Sequence, residues 1–169
     1  LSGPAAVRYP RGTGPGVTPV KEMTALPVGR GEVRREGRSG LALLAFGTMV
    51  EPATRIAERF DATLVNMRFI KPLDEDLVIS MASRHRALVT LEENALAGGA
   101  GSAISEVLAA EGIQMPVLHL GIPDRFIEHG TREECLASAG LDPVSLMGAV
   151  ERWWGLQSSK DRVRSASGA

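Results

Sequence analysis

The stretch Arg86 to Glu111, RALVTLEENALAGGAGSAISEVLAAE, sets the tightest limit on what this chain can fold into. The apolar run from Ala87 to Leu91 has the length of a buried strand. An acidic corner follows (Glu92, Glu93, Asn94), then a glycine-rich turn (Gly98, Gly99, Gly101) and a helical segment opened by Ser102. Strand, small-residue turn and helix in that order make half of a βαβ unit, whose parallel strands require a crossover connection. The same alternation recurs on either side, so the functional edge of a parallel sheet is expected at this corner.

Length and charge narrow the rest. A chain of 169 residues is the size of one ordinary domain, and a net charge of -1 gives no basic field to hold nucleic acid or an anionic membrane. The single cysteine, Cys135, falls among apolar positions of a predicted helix with no second cysteine to pair with, which points to packing. No apolar run approaches the ~20 residues that cross a bilayer, and no basic-then-apolar leader opens the sequence, so a cytoplasmic protein is expected.

Residues 13–27 carry recurrent glycine and proline (Gly14, Pro15, Gly16, Pro19, Pro27) and no regular period, the composition of an interdomain linker. Leu1 is not a methionine, and residues 1–12 read as the end of an upstream domain. The folded domain is expected over 28–156, and 157–169 (QSSKDRVRSASGA) reads as a disordered tail. Strands are expected at 31–35, 41–46, 62–67, 87–91 and 117–120, the first possibly antiparallel because its connection is so short. Between them lie helical faces: Ala53, Ile56, Ala57 and Phe60; Leu77, Val78, Met81 and Ala82 after an Asp74 cap; Ile104, Val107 and Leu108 before Gly112. Thr131 with Glu134 forms a capping box for a short helix ending at Gly140, and Asp142-Pro143 starts the last helix, with Leu146, Met147, Val150, Trp153 and Trp154 on its apolar side. Strands alternating with helices give a three-layer α/β/α sandwich with a mainly parallel sheet.

Chemical signals are sparse. Gly99-Ala100-Gly101 follows a strand, but Ile104 stands where a dinucleotide fingerprint needs its third glycine, and no acidic residue ends a strand ~20 residues on. A tight turn that lets the helix pack closely accounts for these glycines better. Adjacent Glu92 and Glu93 point to opposite faces of a strand and cannot act as an acid-base pair on one substrate. Contacts to another domain or subunit suit this corner, and the interface candidates are Glu92, Glu93, Asn94, Gly98, Gly99 and Gly101. His85, His119 and His129 show neither metal spacing nor a clear nucleophile partner. Arg11, held between Pro10 and Gly12, could grip a phosphate through two parallel hydrogen bonds; the residues alone leave this level with a surface arginine in a linker.

The blocks GPAAVRYPRG, LPVGRGEVRREG, LALLAFGTMVEPA, ATLVNMRFIKPLDEDLV, HRALVTLEENALAGGAGSAISEVL, PVLHLGIPDRFIEHGTREE and GLDPVSLMGAVERWW together resemble the C-terminal third of the 1-deoxy-D-xylulose-5-phosphate synthase family, over roughly Gly3 to Trp154. The wider group is the transketolase-like thiamine diphosphate enzymes. The resemblance implies a five-stranded mixed sheet of order 1-3-2-4-5 with an antiparallel first strand. Its switch point lies between Gly47-Thr48 and Glu92–Asn94. It makes residues 1–12 the end of a pyrimidine-binding-type domain.

The resemblance also implies a homodimeric transferase that joins pyruvate to glyceraldehyde 3-phosphate with loss of carbon dioxide, feeding isoprenoid, thiamine and pyridoxal synthesis. By the same resemblance Arg11 binds the phosphate of the aldehyde. Thiamine diphosphate and magnesium belong to upstream domains, so no catalytic, cofactor or metal residue is expected in this chain, which alone would be inactive and serve domain packing and dimer assembly. Two other readings stay open: the last domain of a 2-oxoacid dehydrogenase β subunit, and a stand-alone module binding a small anion.

Overall fold

The computed structural model describes residues 3–7, 14, 16–18 and 21–167, with side chains through Gln157. Five strands, β1 (Glu32–Arg35), β2 (Leu41–Ala45), β3 (Thr63–Asn66), β4 (Ala87–Ala95) and β5 (Val117–Ile122), form one sheet in the order β1-β3-β2-β4-β5. β1 is antiparallel to β3 and every other pair is parallel, the order and sense the resemblance implies; the short connection after β1 does not close a hairpin, because β3 lies between β1 and β2.

The middle strand shows why the layers close. All five residues of β2 are buried, and their alternation feeds two cores. Leu41, Leu43 and Ala45 join the core under α1 (Val50–Phe60), α4 (Arg132–Ala139) and α5 (Pro143–Ser167), whereas Ala42 and Leu44 join the one under α2 (Glu75–Arg84) and α3 (Ala100–Ala110). A strand covered by helices on both faces has to be apolar throughout. The helices bury the faces their spacing dictates: Ala53, Ile56 and Ala57 on α1, Val78, Met81 and Ala82 on α2, Leu146 and Val150 on α5.

Local stop and start signals are also in place. Asp74 accepts from the Leu77 N–H at the head of α2, the Thr131–Glu134 capping box opens α4, and Gly140 closes it at φ 73°. Gly112, just past α3, is at φ 67°. In these left-handed positions glycine carries no Cβ penalty.

Four boundaries differ from expectation by two residues or more. β5 ends at Ile122 and not at 120. β4 runs through the acidic corner to Ala95, because after a register shift Ala95 still pairs with Ile122 of β5. α3 begins at Ala100, two residues before Ser102, for a reason given below. α5 runs on to Ser167, into the span expected as a tail; from Leu156 to Ser167 there is no proline or glycine to stop it.

Glu32 lies opposite Asn66, the last residue of β3, so the chain enters the sheet at the edge where the parallel strands end. That carboxyl edge also holds the 3-10 turn Gly47–Met49 after β2, the corner after β4 and the loop after β5.

Candidate functional site

β2 and β4 are neighbours at the point where successive crossovers depart in opposite directions, so the crevice between their carboxyl ends is the switch point of this sheet. Glu92 and Glu93 stand beside it and point apart. Glu93, partly exposed, accepts from the Thr48 hydroxyl at 2.5 Å and from the guanidinium of Arg132 at the start of α4. It therefore joins the turn after β2 to the head of α4.

Glu92 goes the other way and is buried, 2 % exposed. Its two carboxylate oxygens accept from the backbone N–H groups of Ala100 and Gly101, each at 2.8 Å. The first turn of α3 presents unpaired donors and the positive end of the helix dipole, and a carboxylate reaching in from β4 satisfies both. This fixes the start of α3 two residues before Ser102, whose hydroxyl instead donates to the Leu96 carbonyl and accepts from the Gly98 N–H. Glycine is needed here on steric grounds: a Cβ on Gly99 would overlap the Glu92 carboxylate, and one on Gly101 would come within 2.7 Å of His119 Nδ1 and 2.8 Å of Thr90 Oγ1. The turn is thus the close-packing turn favoured by the sequence analysis.

Below it, His119 is held by a hydroxyl on each ring nitrogen, Thr90 Oγ1 at 2.7 Å from Nδ1 and Ser105 Oγ at 2.9 Å from Nε2. No local sequence signal marks these partners of His119, because Thr90, Ser105 and His119 lie on three different elements. Burial lowers the pKa of His119, against a smaller upward pull from the charge of Glu92. A neutral Thr90 stands where a carboxylate would orient and strengthen the imidazole as a base, so this arrangement holds the ring and does not activate Ser105. His85 is likewise tied down, Nδ1 donating to the Met81 carbonyl and Nε2 accepting from Thr63, whose oxygen also receives the Gly37 N–H. His129 is exposed in the loop after β5.

Beside Glu93 an open groove of about 330 Å³ is lined by Ile122, Ile127, His129, Arg132, Cys135 and Leu136. Cys135 is half-buried there, its thiol directed at the Glu128 carbonyl 3.6 Å away. Of the other corner residues, Asn94 and Gly98 are exposed and Gly99 and Gly101 are buried. The structure also singles out Arg68, to which sequence reading gave no role. It follows β3 at φ 57°, a conformation uncommon outside glycine, and its guanidinium pairs with Glu32 at 2.7 Å. Arg11 lies outside the described residues.

Among the described residues no group of three or more His, Cys, Asp or Glu side chains could hold a metal ion, and no buried side-chain nitrogen or oxygen lacks a partner. The donors at the head of α3 are already taken by Glu92. These residues do not fit a diphosphate and its magnesium, and no step through such a cofactor follows from them. No helix among them is long and apolar enough to cross a membrane.

The model of the transketolase C-terminal domain matches residues 29–146. The 1-deoxy-D-xylulose-5-phosphate synthase of Thioalkalivibrio sulfidiphilus is 60% identical over 150 residues, covering 89% of this chain and 23% of that protein. That of Methylococcus capsulatus is 53% identical over 166 residues, 98% of this chain and 26% of that one. Among solved structures, a chain described as a split gene transketolase, inactive beta4 tetramer, superposes with a TM-score of 0.68 at 34% identity, over 76% of this chain and 43% of that one. The chain thus spans about a quarter of the length of these curated relatives. The match of that family model to residues 29–146 places the chain in the transketolase C-terminal domain family.

Proposed function

We propose that this chain is the C-terminal part of a 1-deoxy-D-xylulose-5-phosphate synthase. The observation that carries the reading is identity of 53 to 60% to enzymes of that name across nearly the whole chain. The full enzyme would join the two-carbon unit of pyruvate to glyceraldehyde 3-phosphate, releasing carbon dioxide and giving 1-deoxy-D-xylulose 5-phosphate for isoprenoid, thiamine and pyridoxal precursors. Thiamine diphosphate, with magnesium, supplies the carbanion chemistry from domains outside this chain. This domain contributes packing and assembly in a cytoplasmic homodimer and turns over nothing alone. Arg11 binds the phosphate of the aldehyde.

The test is steady-state kinetics of the full-length polypeptide with pyruvate, glyceraldehyde 3-phosphate, thiamine diphosphate and magnesium. Stoichiometric carbon dioxide and the five-carbon phosphate support the reading, and failure to form them contradicts it. Arg11→Ala should weaken use of the aldehyde by about 1.5 to 3 kcal/mol, the size of a lost charge-assisted contact, and barely alter use of pyruvate. Arg11→Lys should recover only part, since a point charge cannot reproduce the guanidinium fork. An unchanged KM for the aldehyde in Arg11→Ala would remove the phosphate role.

A further inference from the structure

We infer that the carboxyl edge of the sheet is the surface on which this domain docks against the domain preceding it in a full-length enzyme, with Phe126 as the apolar anchor. The inference rests on reading this chain as the C-terminal part of such an enzyme. Phe126, in the loop after β5, is 99 % exposed, and Ile70, in the loop after β3, is 54 % exposed. Both loops leave the carboxyl ends of parallel strands, so both lie at the same edge. In the loops at the amino edge Ile113 and Met115 are half-buried, and among the described residues the other exposed large apolar side chains after β1 are Val144 and Leu156 on α5, 81 % and 62 % exposed. An aromatic side chain buries roughly 150 to 250 Å² when a partner closes over it, so Phe126 offers the largest apolar gain at this edge.

The partner is identified by where the chain enters. Arg30 bridges Asp74 and Asp76 at 3.1 and 2.9 Å, and the Gly31 N–H donates to Asp74 at 2.8 Å. These bonds pin the chain to the head of α2 just before β1, and β1 begins at the carboxyl edge because it is antiparallel to β3. The chain therefore enters the folded domain at that edge. In the relatives about three-quarters of the polypeptide lies outside the matched span. The groove beside Glu93 and Arg132, floored by Ile122, Ile127 and Leu136, extends the same surface and offers both signs of charge at its rim.

Maleimide labelling tests the inference in a Cys135→Ala background, with Phe126→Cys, Ile70→Cys and, as control, Gln114→Cys, exposed in the amino-edge loop. Rates are read site by site by peptide mass spectrometry, in this chain and in the full-length polypeptide that ends in it, after thermal melts confirm that each variant folds. All three should react rapidly in this chain. In the full-length polypeptide positions 126 and 70 should slow at least ten-fold, with 114 unchanged. Equal rates at 126 in the two proteins would overturn the inference. Protection of 126 that is lost when the full-length polypeptide is diluted to monomer, or that grows with protein concentration in this chain alone, would assign the edge to a second copy and would also overturn it. Turnover of the unlabelled full-length enzyme is scored separately, so protection without activity counts against the proposed reaction and leaves the docking surface intact.

Discussion

Helices α3 and α4 start in opposite ways. α4 is capped from within its own sequence: Thr131 accepts from the Glu134 N–H, and the Glu134 carboxylate accepts from the Thr131 N–H at 2.8 Å, all in the exposed loop after β5. α3 is capped from another element, by a carboxylate eight and nine residues upstream that is buried and aimed at two N–H groups. The local cap stabilises one helix end, whereas the distant cap also fastens the end of β4 to α3 and fixes the turn between them. Shutting water out strengthens the Glu92 contacts and makes their loss more damaging.

The comparison can be broken at several points, beginning with Glu92→Ala. This leaves two buried donors unpaired and removes a charge from the head of α3, and it should lower unfolding free energy by about 2 to 4 kcal/mol in denaturant titration. Glu92→Gln keeps the shape but sets an amide NH₂ against an N–H donor, so it should fall between Ala and wild type. If Glu92→Ala melted like the wild type, the distant cap would be decoration.

Thr131→Ala should cost about 1 kcal/mol, the ordinary worth of a cap at an exposed helix start. A Thr131→Ala effect equal to that of Glu92→Ala would erase the difference between the two ends.

The smallest effect is that of pH on the cluster under α3. Burial holds His119 below the ordinary imidazole pKa, so the folded state binds its proton less readily than the unfolded state. Its contribution is complete above the unfolded value, about 6.5, and is lost as pH falls from there through the folded value. Glu134 at the α4 cap is also lowered, first by the Thr131 backbone N–H and then by its hydroxyl, and its contribution fades only in the more acidic carboxylate range. Stability measured between pH 7 and 5.5 should therefore decline in the wild type and flatten in His119→Gln.

The same contrast explains what could be read in the sequence. Asp74, Thr131 with Glu134, Gly140 and Asp142 act within three residues of their own positions, and each shows in the structure where its spacing puts it. The layered α/β class follows from apolar runs alternating with 3.6-residue faces, whereas the strand order, and with it β3 as the partner of β1, is legible only through the resemblance. What escaped was contact between distant residues. Ser102 has the chemistry of an N-cap, and only folding brings Glu92 close enough to take the helix start from it. Thr90, Ser105 and His119 come from three elements, and the left-handed backbone of Arg68 has no local signal at all. Arg11, the one ligand-binding candidate of the sequence, lies outside the described residues, and its role rests on the resemblance.

On the proposed reading this domain packs and assembles while the cofactor chemistry resides elsewhere in the full-length enzyme. Calorimetric titration of this chain with thiamine diphosphate and magnesium, beside a thermal melt of the same sample, tests it most directly. A single cooperative melt from its two packed cores and no heat of cofactor binding are expected. Saturable binding at micromolar concentration, with a matching rise in melting temperature, would contradict that reading.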